Sequence, residues 1–122
     1  MNALFAALLV FGAGATLAPA AHASAQAECW TPTANGEGRA EMLWGVNLKS
    51  GPYADAEGCA NTGWAAEGKT VYFYCWTKNS YGHVWWYVRI AGTQTFGWTS
   101  DANVWGTSVD ENGDGQITFY QC

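Results

Sequence analysis

The residues best placed to do chemistry in this sequence are aromatic, acidic and sulfur-bearing. All eight tryptophans lie from Trp30 onward, together with six tyrosines. That is more aromatic surface than a small core can hide. Flat rings gain contact area at low rotamer cost, so a row of them suits sugar rings, prolines and peptide backbones. Alternation turns Tyr72, Tyr74 and Trp76 to one side of one strand and Trp85 and Tyr87 to one side of the next. These five form the expected outward platform. The competing use of the same rings is cross-strand pairing for stability, or burial beneath flanking segments.

The acidic set is in the tail. Asp110, Asn112 and Asp114 stand at positions 1, 3 and 5 of a calcium-loop pattern, with Gly115 at the sharp turn, Gln116 giving its carbonyl and Ile117 as apolar anchor. The spacing matters because three oxygen side chains must converge on one hard cation. Position 12 is Gln121, which cannot give a bidentate carboxylate, and no helix flanks the loop. An Asn-Gly/Asp-Gly hairpin turn is the alternative use of the same residues. Calcium bound here would be structural, with an affinity of roughly 0.1–1 mM.

Catalytic groups are scarce. His83 is the one histidine after the leader, at the edge of a turn, without a nucleophile or orienting carboxylate in view. Glu28, Glu37, Glu41, Glu57 and Glu67 lie mostly beside Gly or Ala in loops, where nothing raises a carboxyl pKa for acid–base work. No enzyme is expected, and no cofactor beyond the calcium of the tail.

Cys29, Cys59, Cys75 and Cys122 make an even count without a C-x-x-C pair, which reads as two disulfides with three possible connectivities. The expected pairing is Cys59–Cys75, closing a loop of about 16 residues worth on the order of 3 kcal/mol, with Cys29–Cys122 tying the ends together.

Disulfides need an oxidising compartment, and the first 25 residues supply a route to one. An apolar run from Ala3 meets small residues, with A-x-A patterns at Ala21–Ala23 and Ala23–Ala25. This is the plan of a secretory signal peptide cleaved between Ser24 and Ala27. A short membrane anchor is the alternative, disfavoured by the glycines, Pro19 and the lack of a basic flank. Roughly a hundred residues remain, enough for one domain with a modest core. The net charge of −5 argues against nucleic acid and anionic lipid as partners, since both need a basic face. Neutral glycans and peptides stay open, and the chain is expected to be a monomer.

The elements that must position these residues are short strands. Residues 28–38 are polar and turn-rich and read as an irregular arm. Leu43–Leu48 is a strand candidate ended by Gly51-Pro52. Residues 53–68 form a long loop with one short strand near Trp64. Thr70–Thr77 is the clearest strand, with Val71, Phe73 and Cys75 on its inner face. His83–Ile90 follows after a hairpin turn at residues 78–82, then Thr95–Thr99, a 3₁₀ turn at residues 100–103, Val104-Trp105, and a last strand Ile117–Tyr120. No useful helical period occurs after the leader. Short strands between Gly-rich turns predict an all-β small barrel or sandwich.

Four segments carry a family resemblance. Val46-Asn47-Leu48-Lys49-Ser50-Gly51-Pro52 is similar to the N-[LV]-R-x-G-P opening of bacterial SH3-like (SH3b) domains, with Lys49 where the family usually has Arg. Residues 66–73 resemble its A-x-G-x-x-V-x-V segment, residues 85–90 its W-x-x-V strand, and residues 96–101 its closing G-W-V-x-x segment. Secreted actinobacterial versions place a cysteine pair like Cys59 and Cys75. The resemblance spans about Trp44 to Trp105. It implies an SH3-like partly open β-barrel at residues 44–105; outside that family pattern lie the signal peptide at 1–25, an N-terminal arm at 26–43 and a C-terminal extension and strand at 106–122. It implies a targeting or binding role, often toward cell-wall peptidoglycan or its peptides, and adds Tyr53 as a groove contact. The expected ligand-binding set is therefore Tyr53, Tyr72, Tyr74, Trp85 and Tyr87. The alternative is a secreted protein–protein interaction or inhibitor domain acting on an extracellular partner.

Overall fold

Apolar residues at alternate positions drive this chain into strands that each bury one face. A computed structural model describes residues 28–107, 113 and 119–122. Its strands are β1 (Arg39–Met42), β2 (Val46–Lys49), β3 (Asn61–Ala65), β4 (Thr70–Lys78), β5 (Val84–Ile90), β6 (Phe96–Ser100) and β7 (Val104–Thr107). Two 3₁₀ turns, Asp55–Glu57 and Asp101–Asn103, complete the regular structure. Among the described residues no helix is long and apolar enough to cross a membrane.

The strands form one antiparallel sheet in the order β3-β2-β6-β5-β4-β1-β7. Strands β3 and β7 are its edges and do not pair, so the sheet is not closed. It nevertheless curls over. Ala65 of β3 and Leu48 of β2 share one buried cluster with Ala40 and Met42 of β1, Val71 and Phe73 of β4, and Val88 and Ile90 of β5. A flat sheet in this order could not bring its two ends into one core. Each fully buried aliphatic or aromatic side chain there contributes about 1.5–3 kcal/mol relative to exposure. Gly97 lets the layers approach, since a Cβ on it would meet the Leu48 Cβ at 2.6 Å.

Three expectations change. A single strand over residues 43–48 is replaced by β1 and β2 with a bend at Leu43–Gly45. Ala40 and Met42 are buried while Arg39 and Glu41 are exposed, so the short alternation just before Leu43 forms its own strand between β4 and β7. Part of the expected arm thus lies inside the sheet. Of the expected last strand, Ile117 and Thr118 lie outside the described residues. Phe119 and Tyr120 are not in a strand, and Gln121 makes a parallel bridge to Trp76.

The disulfides also differ from the expected pairing. Cys29 joins Cys59 and Cys75 joins Cys122, with Cα separations of 5.7 and 5.2 Å. Cys59–Cys75 does not form, because each of these sulfurs is bonded to another partner. Cys59 lies just before edge strand β3, whereas Cys75 is on β4, with β2, β6 and β5 between them. The arm instead brings Cys29 to Cys59 over Gly51, where any Cβ would meet the Cys29 Cα and, at 2.7 Å, the Cys59 Sγ. The tail reaches Cys75 alongside β4, where the Trp76 N–H donates to the Tyr120 carbonyl and the Cys122 N–H to the Trp76 carbonyl. Both disulfides place folding in an oxidising compartment.

Candidate functional site

Cross-strand partners in an antiparallel pair share a face. Strict alternation along β4 would keep Tyr72, Tyr74 and Trp76 together. A bulge prevents it. Phe73 stands opposite Val88 but Cys75 stands opposite Tyr87, leaving Tyr74 as the extra residue. Beyond it the sides exchange. Trp76 is opposite Trp86, whose ring stacks on Phe73 at 4.1 Å on the core side. Cys75 turns to the Tyr87 side.

The outer face that remains is an aromatic ladder. Tyr74 and Tyr87 have ring centroids 6.2 Å apart, and both contact Phe96, at 5.6 and 6.1 Å. Tyr87 also meets Trp98 edge-on at 5.4 Å. The row continues with Tyr72, which lies between Arg39 of β1 and Arg89 of β5 in register. The Arg89 guanidinium carbon is 5.2 Å from the Tyr72 ring centroid, and its Nε donates to the Tyr74 hydroxyl at 3.0 Å. Arg89 Nη1 donates to the Thr93 carbonyl at 3.1 Å. Tyr72, Tyr74 and Tyr87 are half-buried.

The arm covers one end of this ladder. The fully buried Trp98 donates its indole N–H to the Trp30 carbonyl at 2.8 Å, and Trp30 packs edge-on against it at 5.1 Å. Burial pushes the Tyr87 phenol above its ordinary value of 10.0, the neighbouring Tyr74 pushes the same way, and a hydrogen bond with the Thr31 side chain opposes both. Where the arm departs, a groove of about 560 Å³ opens, lined by Asn35, Gly36, Arg39, Tyr72, Tyr74 and Arg89. The Gly36 N–H donates to the Tyr74 carbonyl at 2.7 Å and fixes the groove wall.

The five sequence-derived contacts are therefore divided. Tyr72, Tyr74 and Tyr87 share the outer face. Tyr53 is buried elsewhere. Its hydroxyl donates to Ser80 Oγ at 3.0 Å and accepts from the Ser80 N–H at 3.1 Å. Asn79 completes this brace by donating to the Pro52 carbonyl at 2.8 Å. Together they clamp the loop after β2 to the β4–β5 turn. Trp85 is 8% exposed, and its buried indole N–H has no hydrogen-bond partner among the described residues. It borders a separate depression of about 340 Å³ with Asn47, Lys49 and Asp55. There the buried Lys49 ammonium is held by Asp55 and Asn61.

Arg39 and Phe96 complete the face and were not in the expected set. Arg39 carried no signal, because the strand that aligns it with Tyr72 reads as irregular arm. The candidate calcium ligands Asp110, Asn112, Asp114 and Gln116 lie outside the described residues. Among the described residues no three His, Cys, Asp or Glu side chains converge as a metal site. His83 is exposed at the β4–β5 turn, where its backbone N–H donates to Asn79 Oδ1. In comparisons with known proteins, no family model, no curated protein and no solved structure matches this chain.

Proposed function

We propose that this chain is a secreted, non-catalytic binding module with an SH3-like, partly open barrel, and that it takes cell-wall peptidoglycan peptides or similar short peptides on its Tyr72–Tyr74–Tyr87 face. The observation that supports this reading is the groove beside half-buried aromatic rings. Its volume falls in the roughly 300–1,000 Å³ range of small-ligand sites. Tyr72 and Tyr74 are two residues apart on β4 and both line the groove, so a ligand lying in it meets two aromatic rings. The sheet and both disulfides hold the rings rigid, which lowers the ordering cost of binding.

Co-sedimentation with purified peptidoglycan, followed by amide shift mapping with soluble wall peptides, tests the reading. Retention is expected, with shifts centred on residues 35–39, 72–74 and 87–96. An absence of retention, or shifts confined to another face, overturns it.

A second reading has its own support. Trp44, Trp64 and Trp105 are 50%, 61% and 67% exposed. Exposed tryptophans of this kind are costly to leave in water and common at protein interfaces. A partner protein captured from culture supernatant, and lost when Trp64 and Trp105 become Ser, favours the interaction or inhibitor reading.

A further inference from the structure

We infer that the groove recognises the free C-terminal carboxylate of an extended peptide, held between the Arg39 guanidinium and the Tyr74 hydroxyl over the Tyr72 ring. The inference rests on the binding-module reading and names the group that its ligand must carry. The chain has only five Lys and Arg residues against ten Asp and Glu. Two of those five cations, Arg39 and Arg89, line this one groove. In an acidic protein that concentration makes the groove the natural seat for an anion.

The two arginines differ in state. Arg89 is committed to the protein: it donates to the Tyr74 hydroxyl and the Thr93 carbonyl and lies against the Tyr72 ring. Its charge is fixed, and it sets the direction of the Tyr74 hydroxyl. That oxygen accepts from Arg89 Nε, so its own proton is left to donate outward. Arg39 is exposed on β1, and its guanidinium makes no hydrogen bond or ion pair among the described residues. A planar guanidinium with its fork free matches a carboxylate bidentately. One donor fork, one hydroxyl proton and a nearby fixed cation make a carboxylate seat. The Tyr72 ring beneath offers its face to the adjoining peptide residue. An extended peptide is favoured over a sugar acid because the groove, about 560 Å³ and lined by both Tyr72 and Tyr74, is larger than one sugar ring needs.

Titration calorimetry of the whole chain with one short wall-type peptide as its free acid, the same peptide as its C-terminal amide, and glucuronate tests this. The acid is expected to bind at least ten-fold more tightly than the amide, as the loss of charge-assisted hydrogen bonds implies. Glucuronate should not compete. Arg39→Gln and Tyr74→Phe should each abolish the preference for acid over amide, whatever their effect on the amide itself. Both substitutions leave the ring faces and core in place, and circular dichroism checks the fold. Equal binding of acid and amide overturns the carboxylate seat but leaves the aromatic-face reading standing. No binding of either overturns both. Competition by glucuronate overturns the choice of a peptide.

Discussion

Two buried tryptophans of this sheet should respond in opposite directions to one change of atom. Trp85 and Trp98 lie on adjacent strands β5 and β6 and are both buried. The Trp98 indole N–H donates to the Trp30 carbonyl at 2.8 Å, whereas the buried Trp85 N–H has no partner among the described residues. Replacing either indole, one at a time by semisynthesis, with its benzothiophene analogue keeps the ring shape and removes the donor. At Trp98 the change breaks a hydrogen bond of about 0.5–1.5 kcal/mol and leaves the Trp30 carbonyl unpaired. At Trp85 it removes a desolvated donor whose burial costs about 1–3 kcal/mol. The Trp85 analogue should therefore be more stable than the natural chain by about 1 kcal/mol or more, and the Trp98 analogue less stable by a similar amount. For a domain of this size, each 1 kcal/mol moves Tm by roughly 4–8 °C. Thermal melts followed by circular dichroism, with both disulfides intact, separate the two by about 10 °C. Shifts of the same sign, or a destabilised Trp85 analogue, would refute the claim that the Trp85 donor is orphaned.

Peptide mapping of the unreduced protein should recover Cys29 linked to Cys59 and Cys75 linked to Cys122; a Cys59–Cys75 peptide would overturn the connectivity. Removing the Cys75–Cys122 bond by double substitution to Ala should cost up to about 4 kcal/mol in the chain-entropy account, because it closes 47 residues. Gly97→Ala should destabilise by about 1–3 kcal/mol, since its Cβ would press on Leu48 and Thr62, and a neutral result in urea melts would contradict the close approach of β2 to β6. The raised Tyr87 pKa means that the folded state holds its proton more tightly than the unfolded chain. Its contribution is complete below pH 10 and is lost as pH rises through the folded value. Tyr87→Phe should flatten that alkaline loss in urea melts, and an unchanged pH profile would show that Tyr87 has no part in it.

The long strands were legible because their alternation is unbroken where it matters. Val71 and Phe73 against Tyr72, and Val88 and Ile90 against Arg89, place themselves. The 3₁₀ turn expected at residues 100–103 is present at Asp101–Asn103, where Ser100 caps it by accepting from the Ala102 N–H at 3.2 Å. β1 was not, because four residues with two apolar positions are too few to establish a period. The disulfides were not legible either, because cysteine spacing carries no information on which strands separate them. Cys59 and Cys75 instead each take the partner that a flanking segment brings, Cys29 from the arm to Cys59 and Cys122 from the tail to Cys75.

The platform was legible in its residue types and misread in its extent, and one residue explains both. Tyr74 is the extra residue of the β4 bulge, so every side chain after it exchanges faces. Trp76 leaves the outer row and Cys75 joins it, which is how the tail can reach Cys75. The same residue meets Tyr87 and Phe96, receives the Arg89 Nε–H and gives its carbonyl to Gly36 of the arm. The arm fastened by that last bond covers Trp98 and Tyr87 but stops short of Tyr72, so it buries the apolar end of the ladder and leaves open the end that carries the two arginines. On the proposed reading such a masked platform is selective: the open end, with Arg39 and Arg89, rewards a ligand for bearing negative charge as well as for being flat.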